Sequence, residues 1–336
     1  MEKYFDKFIA KCKEENIELP VTFVPYVEEI ILSSIQISRQ CGSKYIVITS
    51  LFNEVGYNYE CYSKLAEIAK KNDMMILFEN ELRNNNGHLI RGNFSDEFEI
   101  KRHIDMLNEK LGCDIFGFCL NLRNAFICKQ DVQNFIVTLK NRLKVIIVSD
   151  DEEGGYVLPF LNSSKGIINN DWLGFIRGVR EIEFEGEIIL DFRDMTKVFS
   201  GTLRKALLDF AKSISDYLCW QINIEKTLKK YKSIVLFGAG NMCKNYIRCY
   251  GEKYPPLFIC DNNEELWGKE LYGLAIKSPD SLRSIAKQTG IFICSTFYDE
   301  IYEQLKNMKI QNNIEFFSDE FMPMFYQNII KRNDKV

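Results

Sequence analysis

The sequence predicts an α/β fold in two parts: an incomplete βα barrel and, after it, a smaller parallel-sheet domain. Three observations predict it. Short, near-continuous apolar runs alternate with amphipathic segments from residue 20 onward, the pattern of strands covered on both faces by helices. The alternation pauses over a purely helical stretch at 196–231 and then resumes. A glycine turn at a strand-to-helix junction, in "SIVLFGAGNMCKNYI", begins only at residue 233 of 336, so a second sheet starts there.

The first segment, "YFDKFIAKCKEENIE", reads as a helix with no strand before it. Strands follow at "PVTFVPY" (20–26), "KYIVITS" (44–50), "MMILFEN" (74–80), "IFGFCLN" (115–121), "VIIVSD" (145–150) and "EIILDF" (187–192). Helices lie between them, and Gly42 and Gly112 fall just past two of the helical patterns, where a left-handed residue closes a helix. A closed eight-stranded barrel normally needs about 250 residues. Only six units fit before residue 195, so the first one or two βα units have no counterpart. A shorter ring, loops, or a second copy of the chain in a homo-oligomer would have to complete the barrel. The expected division is 1–195 for the barrel, 196–231 for a helical connector, 232–325 for the second domain and 326–336 for a flexible tail.

Composition narrows the partners. Hydrophobic residues make up 46% and charged residues 27% of the chain, ordinary for a protein with real cores. The net charge is -4 and no long basic run occurs, which excludes nucleic acid or an anionic membrane as the main partner. The N-terminus is charged throughout and no run reaches the roughly 18 apolar residues of a membrane span, so a cytoplasmic setting is expected. Eleven cysteines are scattered without a C-x-x-C pair. Cys119, Cys260 and Cys294 lie within strand-like runs, as buried thiols do in a reducing compartment.

In the second domain, Gly238 permits a tight turn, and Gly240 leaves room for a phosphate at the helix N-terminus that begins with Asn241. Asp261 closes the next strand at the spacing of an acid that holds a ribose. Cys243 stands where the fingerprint has its third glycine. These features make the domain Rossmann-like, with a nucleotide, NAD or a nucleotide sugar as candidate ligands. The fold could equally survive without a ligand. The "GAG" turn, "CDN", "WGKELYGL" and "ICS" resemble the small domain attached to bacterial surface-polysaccharide and sugar-modifying enzymes, described as nucleotide-sugar epimerase-like or C-methyltransferase C-terminal. That resemblance implies cytoplasmic steps of surface-glycan synthesis.

In the first domain, "LAEIAKKNDMMILFEN", "FGFCLNLRNAF" and "VIIVSDDEEGGYVLP", in that order, resemble the sugar phosphate isomerase/epimerase family of xylose isomerase-like TIM barrels. The resemblance implies a truncated TIM-type barrel that moves a proton beside a sugar carbonyl, with Glu, Asp, His and Glu at strand ends around a divalent metal. Such chemistry needs an acid/base group near each reacting carbon and positive charge on the oxygens. Glu79 matches the first ligand. Asn121 replaces the Asp, Asn124 stands where a His often follows, and Ile147 falls at the metal His. Asp150 matches an Asp of that motif, and Asp191 replaces the last Glu. Loss of the imidazole and of one anionic ligand predicts weak metal affinity.

Glu79 and Asp191 are therefore the candidate acid/base groups, with Arg123, Asn121 or a weakly held metal as an oxygen clamp. The run Asp150–Glu153 is expected to be a solvated loop, and His103 a helix-face residue. His88 is the one imidazole a loop could bring to the barrel mouth. Tyr57, Tyr59 and Tyr62 are expected to pack or anchor, with stacking on a sugar as the alternative. Two functions follow. One is a sugar or nucleotide-sugar isomerase or epimerase. The other is a non-catalytic sugar-binding or scaffold protein that keeps the cleft without its ligands.

Overall fold

A computed structural model describes residues 2–24, 28–48, 59–152, 155–160 and 170–317. The chain divides into two compact units, Met1–Ile214 and Ser215–Val336. The first unit begins with helix α1 (Glu2–Glu14), then strand β1 (Val21–Val24), α2 (Glu28–Gln40), β2 (Tyr45–Ile48), α3 (Tyr59–Lys71) and β3 (Met75–Glu79). A hairpin of β4 (Leu82–Asn85) and β5 (His88–Arg91) precedes α4 (Glu97–Leu111), β6 (Phe116–Asn121), α5 (Leu122–Ile127), α6 (Val132–Leu139) and β7 (Leu143–Val148). A second hairpin, β8 (Asp150–Glu152) and β9 (Gly155–Val157), leads to α7 (Trp172–Glu181), β10 (Glu187–Leu190), α8 (Arg193–Val198) and the 28-residue α9 (Gly201–Leu228).

Local chemistry sets these boundaries. Asp96 caps α4 by accepting from Phe98 N and Glu99 N at 3.0 and 2.9 Å. Gly112 ends that helix at φ 58°, as Gly42 does after α2 at φ 74°. The β4–β5 turn, Asn86-Gly87, has φ of 52° and 85°, which matches a primed hairpin turn.

Six strands pair in parallel in the order β1-β2-β3-β6-β7-β10. Apart from the inserted hairpins, that is their sequence order, as in a βα barrel. Alternate residues of all six strands meet in one apolar cluster: Val21, Tyr45, Val47, Met75, Leu77, Cys119, Val145, Ile147 and Ile189. First and last strands can share a cluster only if that face is concave. The sheet is a curled parallel half-barrel, consistent with a partial TIM barrel.

The second unit pairs β11 (Ser233–Phe237), β12 (Pro256–Cys260), β13 (Glu270–Leu271), β14 (Leu274–Lys277), β15 (Thr289–Ile293) and β16 (Ile314–Phe316) in the order β13-β14-β12-β11-β15-β16. Only β13 runs antiparallel to its neighbour, so the sheet is mixed. Helices α10 (Asn241–Tyr250) and α11 (Tyr298–Asn307) cover opposite faces. Ile234 and Leu236 pack with Cys243 and Tyr246 of α10, whereas Val235 and Phe237 pack with Ile301 and Leu305 of α11. The period-2 alternation of β11 thus feeds two cores, and each buried Leu or Ile contributes about 1.5–3 kcal/mol. No described helix is long and apolar enough to cross a membrane.

Candidate active site

The inner face of the half-barrel runs outward to its carboxyl edge. Met75 and Leu77 face the apolar cluster, so Glu79 follows them on the same face. By the same alternation Cys119 leads to Asn121 and Ile189 to Asp191. Asp191 N donates to Val148 O at 3.0 Å, extending the β10 ladder by one residue. Two carboxylates and one amide from three different strand ends therefore converge on one rim.

Three asparagines weld that rim. Asn121 N donates to Asn80 Oδ1 at 2.7 Å, and Asn80 Nδ2 returns a bond to Asn121 O at 3.0 Å. Asn124 Nδ2 donates to Asn80 O at 2.7 Å. Asn121 Nδ2 donates to Glu79 Oε1 at 2.8 Å. An aspartate at 121 would set two carboxylates against each other, so the amide is the group this geometry accepts. Asn124, which stands where the resemblance implies a histidine, is buried and ties strand ends together.

Glu79 retains partial solvent access, but burial still pushes its carboxyl above the usual 4.5. Its bond to Asn121 and the charge of Arg193 oppose the shift, and Glu81 and Asp191 add to it. Asp191 is 9% exposed and is gripped by Arg193, whose Nε lies 2.9 Å from both carboxylate oxygens and whose Nη2 also reaches Oδ2. The Arg193 side chain is 56% exposed, so its charge faces solvent as well as Asp191. The two carboxyls thus differ: one is poised to take up a proton, the other is held in a fork-on-fork ion pair.

The structure corrects several expectations. Arg123 is not an open clamp beside Glu79. It is 5% exposed, and its Nη2 lies 2.5 Å from Asp151 Oδ1. The cation at the two acids is Arg193, which sequence reasoning missed. The acidic run is not a solvated loop: Asp150 is 2% exposed and accepts from Asn170 Nδ2 at 2.6 Å, and Asp151 carries the Arg123 ion pair. Glu153 lies outside the described residues, as does Tyr57. The Tyr156 ring carries Arg123 on it at 4.5 Å and Arg193 at 4.6 Å, joining the two ion pairs through cation–π contacts. His103 faces the core, 3% exposed among Tyr62, Phe78 and Phe94, and burial lowers its pKa to about 4. His88 is exposed on the β4–β5 hairpin. Tyr62 is core, edge-on to Phe78 at 5.6 Å, and Tyr59 is 41% exposed.

These residues do not fit a divalent cation. Ile147 is buried in the apolar cluster, the Asn121 amide is turned to Glu79, and Arg193 already balances Asp191. Among the described residues no group of three or more His, Cys, Asp or Glu could hold a metal.

The second unit has its own strand-end turn. Gly238 has φ of 101°, and a Cβ there would meet Cys294 O at 2.9 Å, so only glycine fits. A Cβ on Gly240 would meet nothing within 4 Å, leaving open space before Asn241 and α10. Asp261 turns inward: Oδ2 accepts from Ala239 N at 2.7 Å and Oδ1 from Asn263 N at 2.8 Å. The acid expected on a ribose instead ties the two strand ends. Cys243 is fully buried in the core, where burial, with the Asp261 charge adding, pushes its thiol up to about 12.

A family model described as C2185-like, N-terminal, matches residues 230–314, a description other than nucleotide-sugar epimerase or C-methyltransferase. None of the curated proteins matches the chain. Among solved structures, the chain is similar to an L-ribulose 3-epimerase at 15% identity and TM-score 0.44, covering 61% of this chain and 70% of that one. A D-tagatose 3-epimerase-like protein aligns at 15% identity and TM-score 0.45, covering 65% and 85%. A xylose isomerase domain protein from Alicyclobacillus acidocaldarius aligns at 13% identity and TM-score 0.46, covering 65% and 83%.

Proposed function

We propose that the first unit is a sugar isomerase-like protein that moves a proton beside a carbonyl with one carboxyl group, Glu79, and with Arg193 in place of a metal. The observation that carries this reading is the unequal pair: Glu79 is held above the usual carboxyl range while Asp191 is bound to an exposed guanidinium. In this reading ionised Glu79 removes the proton from the carbon next to the carbonyl. Arg193, kept in place by Asp191 and Tyr156, faces the oxygen on which negative charge develops. The neighbouring hydroxyl proton crosses to the former carbonyl oxygen within the enediolate, and Glu79, now protonated, returns its proton to the neighbouring carbon on the same face. One acid/base suffices for such a 1,2-shift. Epimerisation inverts a centre and needs a second proton donor on the opposite face, and Asp191 is engaged with Arg193.

A panel of aldoses and ketoses incubated with the protein in deuterated water is expected to exchange the C–H beside the carbonyl. Glu79→Gln should lower that exchange by about 10²–10⁴-fold without unfolding the protein. Equal exchange in the variant, or none with any sugar in the wild type, would overturn the reading. Ile147 and the missing imidazole favour the second reading, a barrel that binds a sugar without transforming it.

For the second unit we infer a Rossmann-like module. Numbered in order, its parallel strands β11, β12, β14, β15 and β16 sit as 3-2-1-4-5, the order of doubly wound nucleotide folds, and Gly238 and Gly240 lie at the switch point. The bonds from Ala239 N and Asn263 N to Asp261 argue against a ribose clamp at that residue. A role in surface-glycan metabolism rests on the sequence resemblance of this unit.

A further inference from the structure

We propose that Tyr156 is a positioning residue of the rim: its ring sets the plane of the Arg193 guanidinium, and the β8–β9 hairpin sets the ring. The catalytic consequence rests on the single-base reading of Glu79, but the positioning itself does not. The register of the hairpin places the ring. Tyr156 stands directly opposite Asp151, so their side chains leave the same face. Arg123 reaches that face from α5, with Nη2 2.5 Å from Asp151 Oδ1 and its guanidinium carbon 4.5 Å from the ring centre. Arg123 is buried, so the ring leans on a cation that has little room to move.

The hairpin is also fastened to the helix that carries Arg193. Tyr156 N donates to Asp194 Oδ2 at 2.9 Å, and Leu158 N to Met195 Sδ at 3.3 Å. Asp194 and Met195 directly follow Arg193 in α8. Lys197 Nζ takes the other oxygen of Asp194 at 2.6 Å, which holds that carboxylate in place. Ser149 Oγ donates to Val157 O at 3.0 Å and so ties the end of β9 back to the start of β8. The ring therefore spans two strand ends: Arg123 follows β6, and Arg193 follows β10.

Arg193 needs two supports because it is long and more than half exposed, and a side chain of that kind gives up much rotamer freedom when it is fixed. The fork with Asp191 holds one edge of the guanidinium. That edge alone leaves the group free to swing about the fork. The Tyr156 ring, 4.6 Å from the guanidinium carbon, is within the range of a cation–π contact and supplies the second support. An arginine that meets a developing negative charge helps most when its position is set before the reaction. Loss of the ring should therefore act on kcat more than on KM.

The test compares Tyr156→Leu and Tyr156→Phe in the full chain. Nitrogen-15 relaxation of the Arg193 Nε–H group, assigned by its absence from Arg193→Lys, reads the position without any substrate. Its order parameter is expected to fall below about 0.6 in Tyr156→Leu and to stay at the wild-type value in Tyr156→Phe, which keeps the ring. Tyr156 is half-buried, and the methyl signals of Ile147 and Ile189 in the apolar cluster are expected to be unchanged in both variants, which separates a lost position from a lost fold. In the sugar exchange assay Tyr156→Leu should lower kcat by about 10–100-fold with little change in KM, and Tyr156→Phe should restore it. The inference is overturned if Arg193 stays as ordered in Tyr156→Leu as in wild type, if Tyr156→Phe loses as much order as Tyr156→Leu, or if Tyr156→Leu keeps the kcat of an active wild type. A wild type that exchanges no sugar overturns the reading of Glu79 instead, and the order of Arg193 then decides alone whether Tyr156 positions it.

Discussion

Replacing Arg193 by methionine is expected to destabilise the first unit by about 2–3 kcal/mol at neutral pH. The variant keeps the apolar stem but removes the charge that both oxygens of Asp191 accept from. Breaking a fully buried ion pair costs about 3–5 kcal/mol because one charge is left uncompensated. The Arg193 side chain is 56% exposed, so water can follow into the gap and the loss should fall below that range. Glu79 also loses a nearby cation that opposes its upward shift. The sign with pH follows. Glu79 then has its folded-state pKa raised further above the unfolded value, so its penalty is present at neutral pH and fades as pH falls toward and below the unfolded value. Urea unfolding at pH 7 and at pH 5, followed through Trp172 of this unit, should show a large deficit at the first and a smaller one at the second. An equal deficit at both would mean that Arg193 acts through packing alone.

Asn121→Asp is expected to cost about 2–4 kcal/mol at neutral pH, from a change of one atom. The aspartate keeps the oxygen that caps α5 through Asn124 N, so the helix start is preserved. What is lost is the Nδ2 donor 2.8 Å from Glu79 Oε1, and a second carboxylate appears in its place. Two carboxyls at that separation share one proton, and the pair titrates with one value strongly raised. Stability should therefore be recovered as pH falls through that raised value and lost as pH rises through it. Urea midpoints between pH 5 and pH 8 measure this. A variant as stable as wild type at pH 8 would mean that Glu79 is already protonated there, which would also remove the proposed base.

Much of the fold was legible because its signals are local. The apolar runs marked all six strands of the first sheet, and Gly42 and Gly112 marked helix ends that do adopt positive φ. The turn at Gly238 was recognisable as a strand-to-helix junction for the same reason. The rim acids were legible too, since period-2 alternation carries Met75 and Leu77 to Glu79 on one face. What escaped was pairing between side chains distant in sequence. Nothing in "DDEEGGYV" says that Asp151 meets Arg123 or that Tyr156 lies against two arginines, and consecutive acids ordinarily read as solvated. Arg193 left one signal, an arginine two residues after a strand-end aspartate, which allows the fork to fold back. Asp261 has the spacing of a ribose ligand, but in the fold its oxygens accept from backbone N–H groups. The tail and residues 161–169 lie outside the described residues.

Carboxyl-carbon NMR of the wild-type chain, titrated from pH 3 to pH 9, bears most directly on whether the rim holds a group able to give and take a proton. Glu79 is expected to titrate above the usual 4.5, so that folding stability declines as pH rises from the unfolded-state value through the folded one. A Glu79 resonance that titrates at or below 4.5 would show a carboxylate locked in its charged form, and the single-base mechanism would fall with it.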